Sequence, residues 1–283
     1  VDRAPEDIAV IFEDRQLSYH DLDRQANQVA HRLIALGVHP EVRVGLYMER
    51  GPEAIVGLLG ILKAGGVYLP LDPGLPPKRL EWFLSDADPA IILTQKTLHS
   101  SLSESQAAVL CLDDPEVELH NEPDSRPLVE VAPGQMAYII FTSGSTGRPK
   151  GVMVDHRSLS HTINDQIPLF GLTSDSRVLA TISLSFDASV GEIFRALVAG
   201  ATLCVARRET LLPGPELIQL LKDQHITATT LVTSVLAALP SEAELPELRS
   251  LTVGGEALPA DLAARWGRGR RLLNAYGPTE ATI

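Results

Sequence analysis

The sequence predicts an α/β protein in which helices cover mostly parallel β-sheets. Short apolar runs alternate with amphipathic helical segments along almost the whole chain, which is the pattern of consecutive βα units. Gly and Pro residues separate the two kinds of segment. Apolar residues make up 45% of the 283 residues, enough for a sizeable core in one large or two mid-sized domains. We expect two similar parallel-sheet α/β subdomains, residues 1–170 and 171–283.

The first half is predicted to begin with a strand and a capped helix. Ser18 is a good N-cap, the apolar residues after it recur at helical spacing, and Gly37 ends that pattern. Pro52 begins a second helix. Residues 113–134 are acidic, contain prolines and show no periodicity, which predicts a surface connection. The other expected elements are strands at 8–12, 42–48, 67–69, 90–94, 109–112 and 138–141 and a helix near 79–85.

The second half repeats this alternation. Its strands are predicted at 177–181, 202–205, 229–231, 251–253 and 272–275, and its helices at 190–199, 215–224, 234–239 and 259–266. Ligands of such folds gather at the carboxyl ends of the strands. The polar segments 142–150, 254–256 and 274–280 follow predicted strands, as does Asp187, so we expect them to converge on one crevice.

Bulk properties narrow the class of protein. The formal net charge is −12, from 24 basic and 36 acidic residues, and no basic cluster stands out, so a nucleic-acid groove is not expected. Cys111 and Cys204 lie inside apolar runs, which predicts buried strand thiols in a reducing compartment. No segment resembles a membrane span or a signal peptide, so we expect a cytoplasmic protein. The start at Val1 and the stop at Ile283 predict a piece of a longer chain.

Residues 138–156 carry the most informative motif. An apolar run at 138–141 predicts a buried strand, and it leads into Thr-Ser-Gly-Ser-Thr-Gly at 142–147, followed by Lys150. Hydroxyl groups and glycines let the backbone approach a polyphosphate closely, and the lysine adds a positive charge. The segment is not a Walker A loop, because Arg148-Pro149 stands between the last glycine and the lysine. An ordinary polar strand-to-helix loop is the alternative interpretation.

Five segments, in order over nearly the whole chain, carry a family resemblance. They are 17–27 (LSYHDLDRQAN), 62–73 (LKAGGVYLPLDP), 142–151 (TSGSTGRPKG), 186–190 (FDASV) and 274–280 (NAYGPTE). With these segments the chain resembles the amino-acid adenylation domain of nonribosomal peptide synthetases, a branch of the adenylate-forming enzyme superfamily.

The resemblance implies a fold, a reaction and partners. The fold would be the two α/β subdomains of the adenylate-forming fold, lacking the β-barrel subdomain and the small C-terminal domain that follow in the family. The carboxylate of an amino acid would attack the α-phosphorus of Mg-ATP, giving an aminoacyl-adenylate and pyrophosphate. The amino acid would then pass to the phosphopantetheine thiol of a carrier domain. Besides that carrier, the implied partners are the C-terminal adenylation subdomain and a small helper protein.

The resemblance also assigns the nucleotide site residue by residue. The loop that handles the β- and γ-phosphates would consist of Thr142, Ser143, Gly144, Ser145, Thr146, Gly147 and Lys150. The adenine site would consist of Gly254, Gly255, Glu256, Asn274, Ala275, Tyr276 and Gly277, with Tyr276 stacked on the base. Thr279 would contact the α-phosphate, and Glu280 would bind Mg²⁺, a hard cation that prefers carboxylate oxygen. The catalytic set is therefore Thr142, Lys150, Thr279 and Glu280. Without the resemblance, 274–280 is more typical of a tight turn.

Asp187 decides the substrate class. In the family, the matching Asp pairs with the α-ammonium group of the amino acid, and acyl-CoA ligases generally lack it. A helix N-cap is the structural alternative, because a helix follows directly. The side-chain pocket implied by the resemblance is lined by Phe186, Ala188, Gly191, Thr230, Thr252, Gly254, Ala275 and Ile283. These walls are uncharged and mostly small, which predicts a bulky neutral substrate side chain.

Two further functions stay open on the sequence alone. One is an acyl-CoA or aryl-acid ligase of the same superfamily, which Asp187 disfavours. The other is a non-catalytic binding fragment, because motifs that complete the site in the family lie beyond Ile283, among them the lysine of the C-terminal domain. We therefore predict activity for the parent protein but make no such prediction for this chain by itself.

Overall fold

The computed structural model describes residues 3–102, 105–143, 148–240 and 243–283. Its strands are β1 (Ile8–Phe12), β2 (Arg15–Ser18), β3 (Arg43–Tyr47), β4 (Val67–Leu71), β5 (Ile91–Thr94), β6 (Ala108–Cys111), β7 (Met136–Thr142), β8 (Lys150–Asp155), β9 (Arg177–Leu179), β10 (Thr202–Val205), β11 (Ala228–Val232), β12 (Ser250–Gly254) and β13 (Arg271–Ala275). Its α-helices are α1 (Tyr19–Ala35), α2 (Pro52–Lys63), α3 (Pro77–Ala87), α4 (His156–Phe170), α5 (Asp187–Val198), α6 (Pro215–Asp223), α7 (Thr233–Ala238) and α8 (Ala260–Trp266). Short 3₁₀ helices occur at Lys96–Leu102, Pro115–Val117, Leu119–Asn121, Glu209–Leu211 and Thr279–Ala281.

Two sheets organise the chain. The seven-stranded sheet has the order β13-β12-β11-β9-β10-β1-β2, and the six-stranded sheet has the order β6-β5-β3-β4-β7-β8. Neighbouring strands are parallel except for the pairs β1–β2 and β7–β8, which are antiparallel and lie at the sheet edges. The predicted α/β class with mostly parallel sheets is confirmed, and the described residues form no closed barrel.

The first strand does not belong to the sheet of its own half. β1 pairs in parallel with β10, with Val10 opposite Leu203, and β2 pairs with β1. Residues 8–18 therefore extend the sheet built by the second half. This corrects the expected division of the chain at residue 170, which does not separate the two sheets. The physical reason is that the two-stranded hairpin of β1 and β2 is marginally stable alone and completes the exposed edge of β10.

The segment after the predicted phosphate loop is also a strand. β8 runs antiparallel to β7, and Thr142 lies opposite Lys150. The loop at 143–149 therefore joins two antiparallel strands, which disagrees with the alternative interpretation of an ordinary strand-to-helix loop, and β8 was not among the expected strands. The following helix, α4, begins only at His156, where Asp155 accepts a hydrogen bond from the main-chain N–H of Ser158 over 2.7 Å.

The packing has five layers. The central apolar cluster lies between the two sheets and contains side chains of α1, α2, α4 and α5. A second cluster packs α6, α7 and α8 on the outer face of the seven-stranded sheet. A third packs α3 on the outer face of the six-stranded sheet. Cys111 and Cys204 are buried free thiols in strands, as predicted. Within the described ranges, no helix combines the length and apolar character needed to span a bilayer.

Local sequence signals explain where several helices begin. The Ser18 side chain accepts a hydrogen bond from the Asp21 main-chain N–H over 3.0 Å, which caps α1 as predicted. Pro52 and Pro215 occupy the first positions of α2 and α6. A main-chain N–H at this position has no partner within the helix, so proline costs no hydrogen bond there. Gly37 follows α1 with a φ of 95°, a conformation that favours glycine.

Buried polar contacts tie the two sheets together beside α5. Arg50, which follows β3, donates to the carbonyl of Ala180 over 2.6 Å and to that of Ile182 over 2.7 Å, both beyond the end of β9. Asp72, which follows β4, accepts a hydrogen bond of 3.0 Å from the Ser183 hydroxyl. These contacts fix the segment that leads into α5 relative to the six-stranded sheet.

Candidate active site

Several predicted site residues lie at the carboxyl ends of adjacent parallel strands. Thr230 of β11 and Thr252 of β12 are register partners, and so are Gly254 of β12 and Ala275 of β13. Thr252 is buried, while Thr230 is half-buried. A Cβ atom at Gly254 would lie 3.0 Å from the Ala275 carbonyl oxygen, so this close approach favours glycine. The residues expected to line the pocket at this sheet end are therefore neighbours in the sheet.

Asp187 is the first residue of α5. Phe186 holds the N-cap position, makes no side-chain cap bond and is exposed, so Asp187 is not the N-cap. Burial raises the pKa of the Asp187 carboxyl group, while the Thr279 hydroxyl and the main-chain groups of Ala188 and Ile283 act in the opposite direction. Its Oδ2 atom is buried and has no hydrogen-bond partner among the described residues. This oxygen therefore lacks the donor that a buried carboxylate requires.

Tyr138 is a neighbour of Asp187 that the sequence did not single out as a site residue. It lies in β7 and is 1% exposed, and its hydroxyl group finds no partner in the described part of the chain. The pKa of this phenol is raised, mainly by burial and secondarily by the Asp187 charge. Tyr138, in the strand that leads into the phosphate loop, is thus near enough to Asp187 to be influenced by its charge.

Gly191 lies one helical turn after Asp187, and its surroundings differ from the expected void. A Cβ atom at this position would lie 2.5 Å from Nη1 of Arg195 and 3.1 Å from Cγ2 of Ile283. A guanidinium group therefore occupies the space beside the glycine, a charged neighbour that the expected pocket lining does not include. The only sequence signal was the spacing, since Arg195 follows Gly191 by four residues and so shares its helix face.

The adenine-site candidates are mostly exposed. Tyr276 has 98% of its surface accessible. The segment around it is exposed as well, with Thr279 and Ile283 half-buried. The Glu256 carboxylate accepts a 2.9 Å hydrogen bond from the main-chain N–H of Ser234, the second residue of α7. Its neighbour Gly255 has a φ of 83°, and the turn there directs the chain away from β12.

The phosphate-loop candidates are described in part. Thr142 ends β7 and is half-buried, and Ser143 and Lys150 are exposed. Gly144, Ser145, Thr146 and Gly147 lie outside the described residues. β8 contacts the 3₁₀ helix that contains Thr279 and Glu280. This contact places β8, which begins at Lys150, beside Thr279 and Glu280, the residues expected to contact the α-phosphate and the metal.

Glu280 is the candidate magnesium ligand, and its chemistry fits that role. Its side chain is exposed. The described ranges contain no group of three or more His, Cys, Asp or Glu side chains able to hold a metal ion by themselves. Mg²⁺ is usually held by one or two carboxylates together with substrate phosphates, so a single carboxylate beside a phosphate site is the expected arrangement.

Comparison with known proteins identifies the family of the chain. The family model described as "AMP-binding enzyme" matches residues 1–283. A linear gramicidin synthase of Brevibacillus parabrevis is 49% identical over 283 residues, which are 100% of this chain and 4% of that protein. Phosphinothricin tripeptide synthetase PhsC of Streptomyces viridochromogenes is 43% identical over 283 residues, covering 99% of this chain and 26% of that protein. The chain thus spans a small part of the curated relatives it matches.

A solved structure shares the fold. The crystal structure of the nonribosomal peptide synthetase FmoA3 superposes with a TM-score of 0.88 at 32% identity, over 99% of this chain and 30% of that one. An AMPPNP-bound form of FmoA3 superposes equally well, with a TM-score of 0.88. The chain belongs to the AMP-binding enzyme family and, within it, to the adenylation domains of nonribosomal peptide synthetases.

Proposed function

We propose that this chain carries the core of an enzyme that activates an amino acid with ATP as an aminoacyl-adenylate, releasing pyrophosphate. The activated amino acid is then loaded onto the phosphopantetheine thiol of a carrier domain. The observation that carries this proposal is the unpartnered, buried Oδ2 of Asp187 at the head of α5. An α-ammonium group supplies both the hydrogen-bond donor and the positive charge that this carboxylate lacks.

The Asp187 carboxylate also favours amino acids over other carboxylic acids as substrates. Two unit charges at 4 Å attract by about 4 kcal/mol at an effective dielectric constant of about 20. After desolvation, losing the ammonium partner is expected to cost about 2–3 kcal/mol, a discrimination of roughly 30- to 150-fold. A fatty or aryl acid would leave the carboxylate unpaired, so this site disfavours the acyl-CoA or aryl-acid ligase alternative.

The nucleotide side supports ATP as the second substrate. We assign phosphate contacts to the loop between β7 and β8 and to Lys150, the α-phosphate contact to Thr279, adenine stacking to Tyr276 and the metal to Glu280. Mg²⁺, when bound, neutralises phosphate charge as it develops. The residues of this chain would bind and orient the phosphates rather than form a covalent intermediate. The AMPPNP-bound form of FmoA3 supports this assignment by analogy.

The proposal extends to organisation and partners. We propose that residues 1–170 and 171–283 contribute the phosphate-loop and substrate halves, apart from residues 8–18, which complete the second sheet. The carrier domain, the C-terminal adenylation subdomain and a small helper protein are proposed partners, and the cytoplasm is the proposed compartment. The relatives' greater length supports these partners, because the matched stretch is 4% and 26% of two synthetases.

The test is amino-acid-dependent ATP–pyrophosphate exchange by the full-length native protein. The panel spans charged, small, aliphatic and aromatic amino acids, with aryl and fatty acids alongside. We expect exchange with an amino acid and a fall of at least about 30-fold in kcat/KM for Asp187→Asn, which keeps the shape and removes the charge. Asp223→Asn is the matched control, because its exposed carboxylate only accepts a hydrogen bond from Gln219 within α6.

Two outcomes would contradict the proposal. Exchange with aryl or fatty acids only, unchanged in Asp187→Asn, would support the acyl-ligase alternative. No exchange with any acid by a folded native protein would support a non-catalytic binding role.

A further inference from the structure

Asp187, Gly191 and Arg195 form a stripe along α5. The three residues are spaced by four and therefore lie on one face of the helix. Asp187 and Gly191 are separated by a rise of about 6 Å along the helix axis. Helical side chains lean toward the N-terminus, so the long side chain of Arg195 extends back toward Gly191. The first two residues of this stripe are assigned to the substrate site, and the third is not.

The guanidinium group of Arg195 is held in a defined place. Arg195 is 4% exposed. Its Nη1 atom donates a hydrogen bond to Oε1 of Gln166, and its Cζ atom lies 4.2 Å from the centroid of the Phe170 ring. Both partners belong to α4, which packs against α5. A buried, stacked guanidinium with a fixed partner is a preorganised group rather than a solvated surface charge.

This group forms the wall of the site at Gly191. Its Nη1 atom would lie only 2.5 Å from a Cβ atom at that position, and Cγ2 of Ile283 would lie 3.1 Å from the same atom. Any side chain larger than hydrogen at position 191 would displace the guanidinium. Because residue 191 is a glycine, no side chain at this position separates the N–H groups of Arg195 from the pocket.

The guanidinium retains its charge and has unused donors. Burial lowers its pKa to about 10, so it remains a cation near neutral pH. The nearby Glu192 carboxylate attracts it, but that carboxylate accepts hydrogen bonds from the main-chain N–H groups of Thr181 and Ile182 over 3.1 and 3.0 Å. Within the described residues, the contact with Gln166 is the one hydrogen bond of the guanidinium. Among the described residues, no acceptor lies within hydrogen-bond distance of its Nε or Nη2 atom.

We propose that Arg195 is a specificity-determining residue, which binds the end of the substrate side chain beside Gly191 and selects a side chain that ends in a carboxylate or carboxamide oxygen. This inference rests on the proposed function. With the α-ammonium at Asp187, an acceptor about 6 Å along α5 corresponds to side chains of the size of aspartate, glutamate and their amides. The proposal replaces the bulky neutral substrate that the small pocket walls predict.

The selectivity depends on whether the substrate side chain gives the guanidinium donors a hydrogen-bond acceptor. An oxygen acceptor gives a charge-assisted hydrogen bond in a water-poor site. An apolar side chain would desolvate the same donors without replacing their partners, and sites built to bind a polar group strongly reject analogues that lack it. Selection therefore comes as much from rejecting apolar amino acids as from binding polar ones.

The experiment is pyrophosphate exchange by the full-length native protein with glutamate, glutamine, aspartate, asparagine, leucine, methionine and phenylalanine. Arg195→Met keeps the length and the contact with Phe170 and removes the donors. We expect it to lower kcat/KM for the preferred polar amino acid by about 10- to 100-fold and to shift preference toward methionine or leucine, with an unchanged KM for ATP. Arg207→Met is the matched control, because that arginine pairs with Glu13 on the surface.

A second variant keeps the inference testable if Arg195→Met does not fold. Gly191→Ala places a methyl group against Nη1, the flexible end of the arginine, so the guanidinium shifts while the charge stays buried. We expect the same change in preference, smaller in size. Exchange with an apolar amino acid whose preference is unchanged in both variants would overturn the role of Arg195 and leave the proposed function standing. Absence of exchange with every amino acid would overturn both.

Discussion

The two ends of the candidate site differ in how much protein surrounds them. At the amino-acid end, Asp187, Gly191 and Arg195 lie on a helix that is packed between two sheets and held by buried polar contacts. At the nucleotide end, Tyr276 is 98% exposed, and most of the segment around it is exposed as well. One end is a preformed, desolvated environment, and the other is an open surface.

This difference indicates how each end binds its ligand. A buried charge discriminates strongly, because a wrong partner leaves it desolvated and unpaired. An exposed aromatic ring or hydroxyl is removed from water only when the ligand covers it. We therefore expect substitutions at the amino-acid end to change both stability and specificity. At the nucleotide end, we expect substitution of a side chain that makes almost no contact with the protein to change affinity alone.

The largest effect is expected for Arg50→Met, which removes the contact between the sheets beside α5. Two charge-assisted hydrogen bonds to the carbonyls of Ala180 and Ile182 are lost. We expect the free energy of local opening at the segment leading into α5 to fall by about 3 kcal/mol, measured by amide hydrogen exchange. Arg15→Met is the control, because its exposed pair with Glu53 is worth less than about 1 kcal/mol. Equal effects of the two variants would contradict the expectation that the buried contacts stabilise this segment more than the exposed pair does.

An intermediate effect is expected for Tyr276→Ala, and only on the nucleotide. The ring makes almost no contact with the protein. Stacking of a base on an aromatic ring is worth about 1–3 kcal/mol, so we expect the KM for ATP to rise by about 5- to 150-fold. Thermal stability should be unchanged. Tyr276→Phe keeps the stacking face and should behave like the native protein. A stability loss above about 1 kcal/mol in Tyr276→Ala would show that the ring is structural instead.

The smallest effect is expected for Glu256→Ala, which sharpens the assignment of the adenine edge. The resemblance places this residue near the purine, but its carboxylate bonds to the Ser234 main-chain N–H at the start of α7. We expect a loss of about 0.5–1 kcal/mol in stability, as for an N-terminal cap, and a KM for ATP within about twofold of native. Glu256→Gln, which retains an acceptor, should recover most of the stability. A large rise in the KM would instead assign the side chain to the nucleotide.

Local signals in the sequence predicted most of the secondary structure. Ser18 caps α1, Pro52 begins α2, and the short strand β10 has the bounds that its apolar run predicts. These features depend on neighbouring residues, so a single sequence contains them. The membership of β1 in the distant sheet, and the pairing of β7 with β8, depend on contacts between segments and left no comparable local pattern.

The candidate site divides in the same way. Motif matches identified Asp187, Gly191 and Tyr276, and the structure supports a site around the first two by showing an unpartnered carboxylate and a close-packed glycine. The guanidinium of Arg195 and the hydroxyl of Tyr138 were missed, because their importance arises from burial and from the direction of a side chain. Neither property can be read from residue type alone.

The membership of β1 in the second sheet has a consequence for synthesis of the chain. The hydroxyl of Thr202 donates to the carbonyl of Ile8, a partner 194 residues earlier in the sequence. At about 5–20 residues per second, a ribosome needs roughly 10–40 s to make the intervening segment. Until then the amino-terminal hairpin has no sheet to join, and its apolar strand stays available to chaperones. β1 can pair with β10 only after more than two thirds of these residues have emerged.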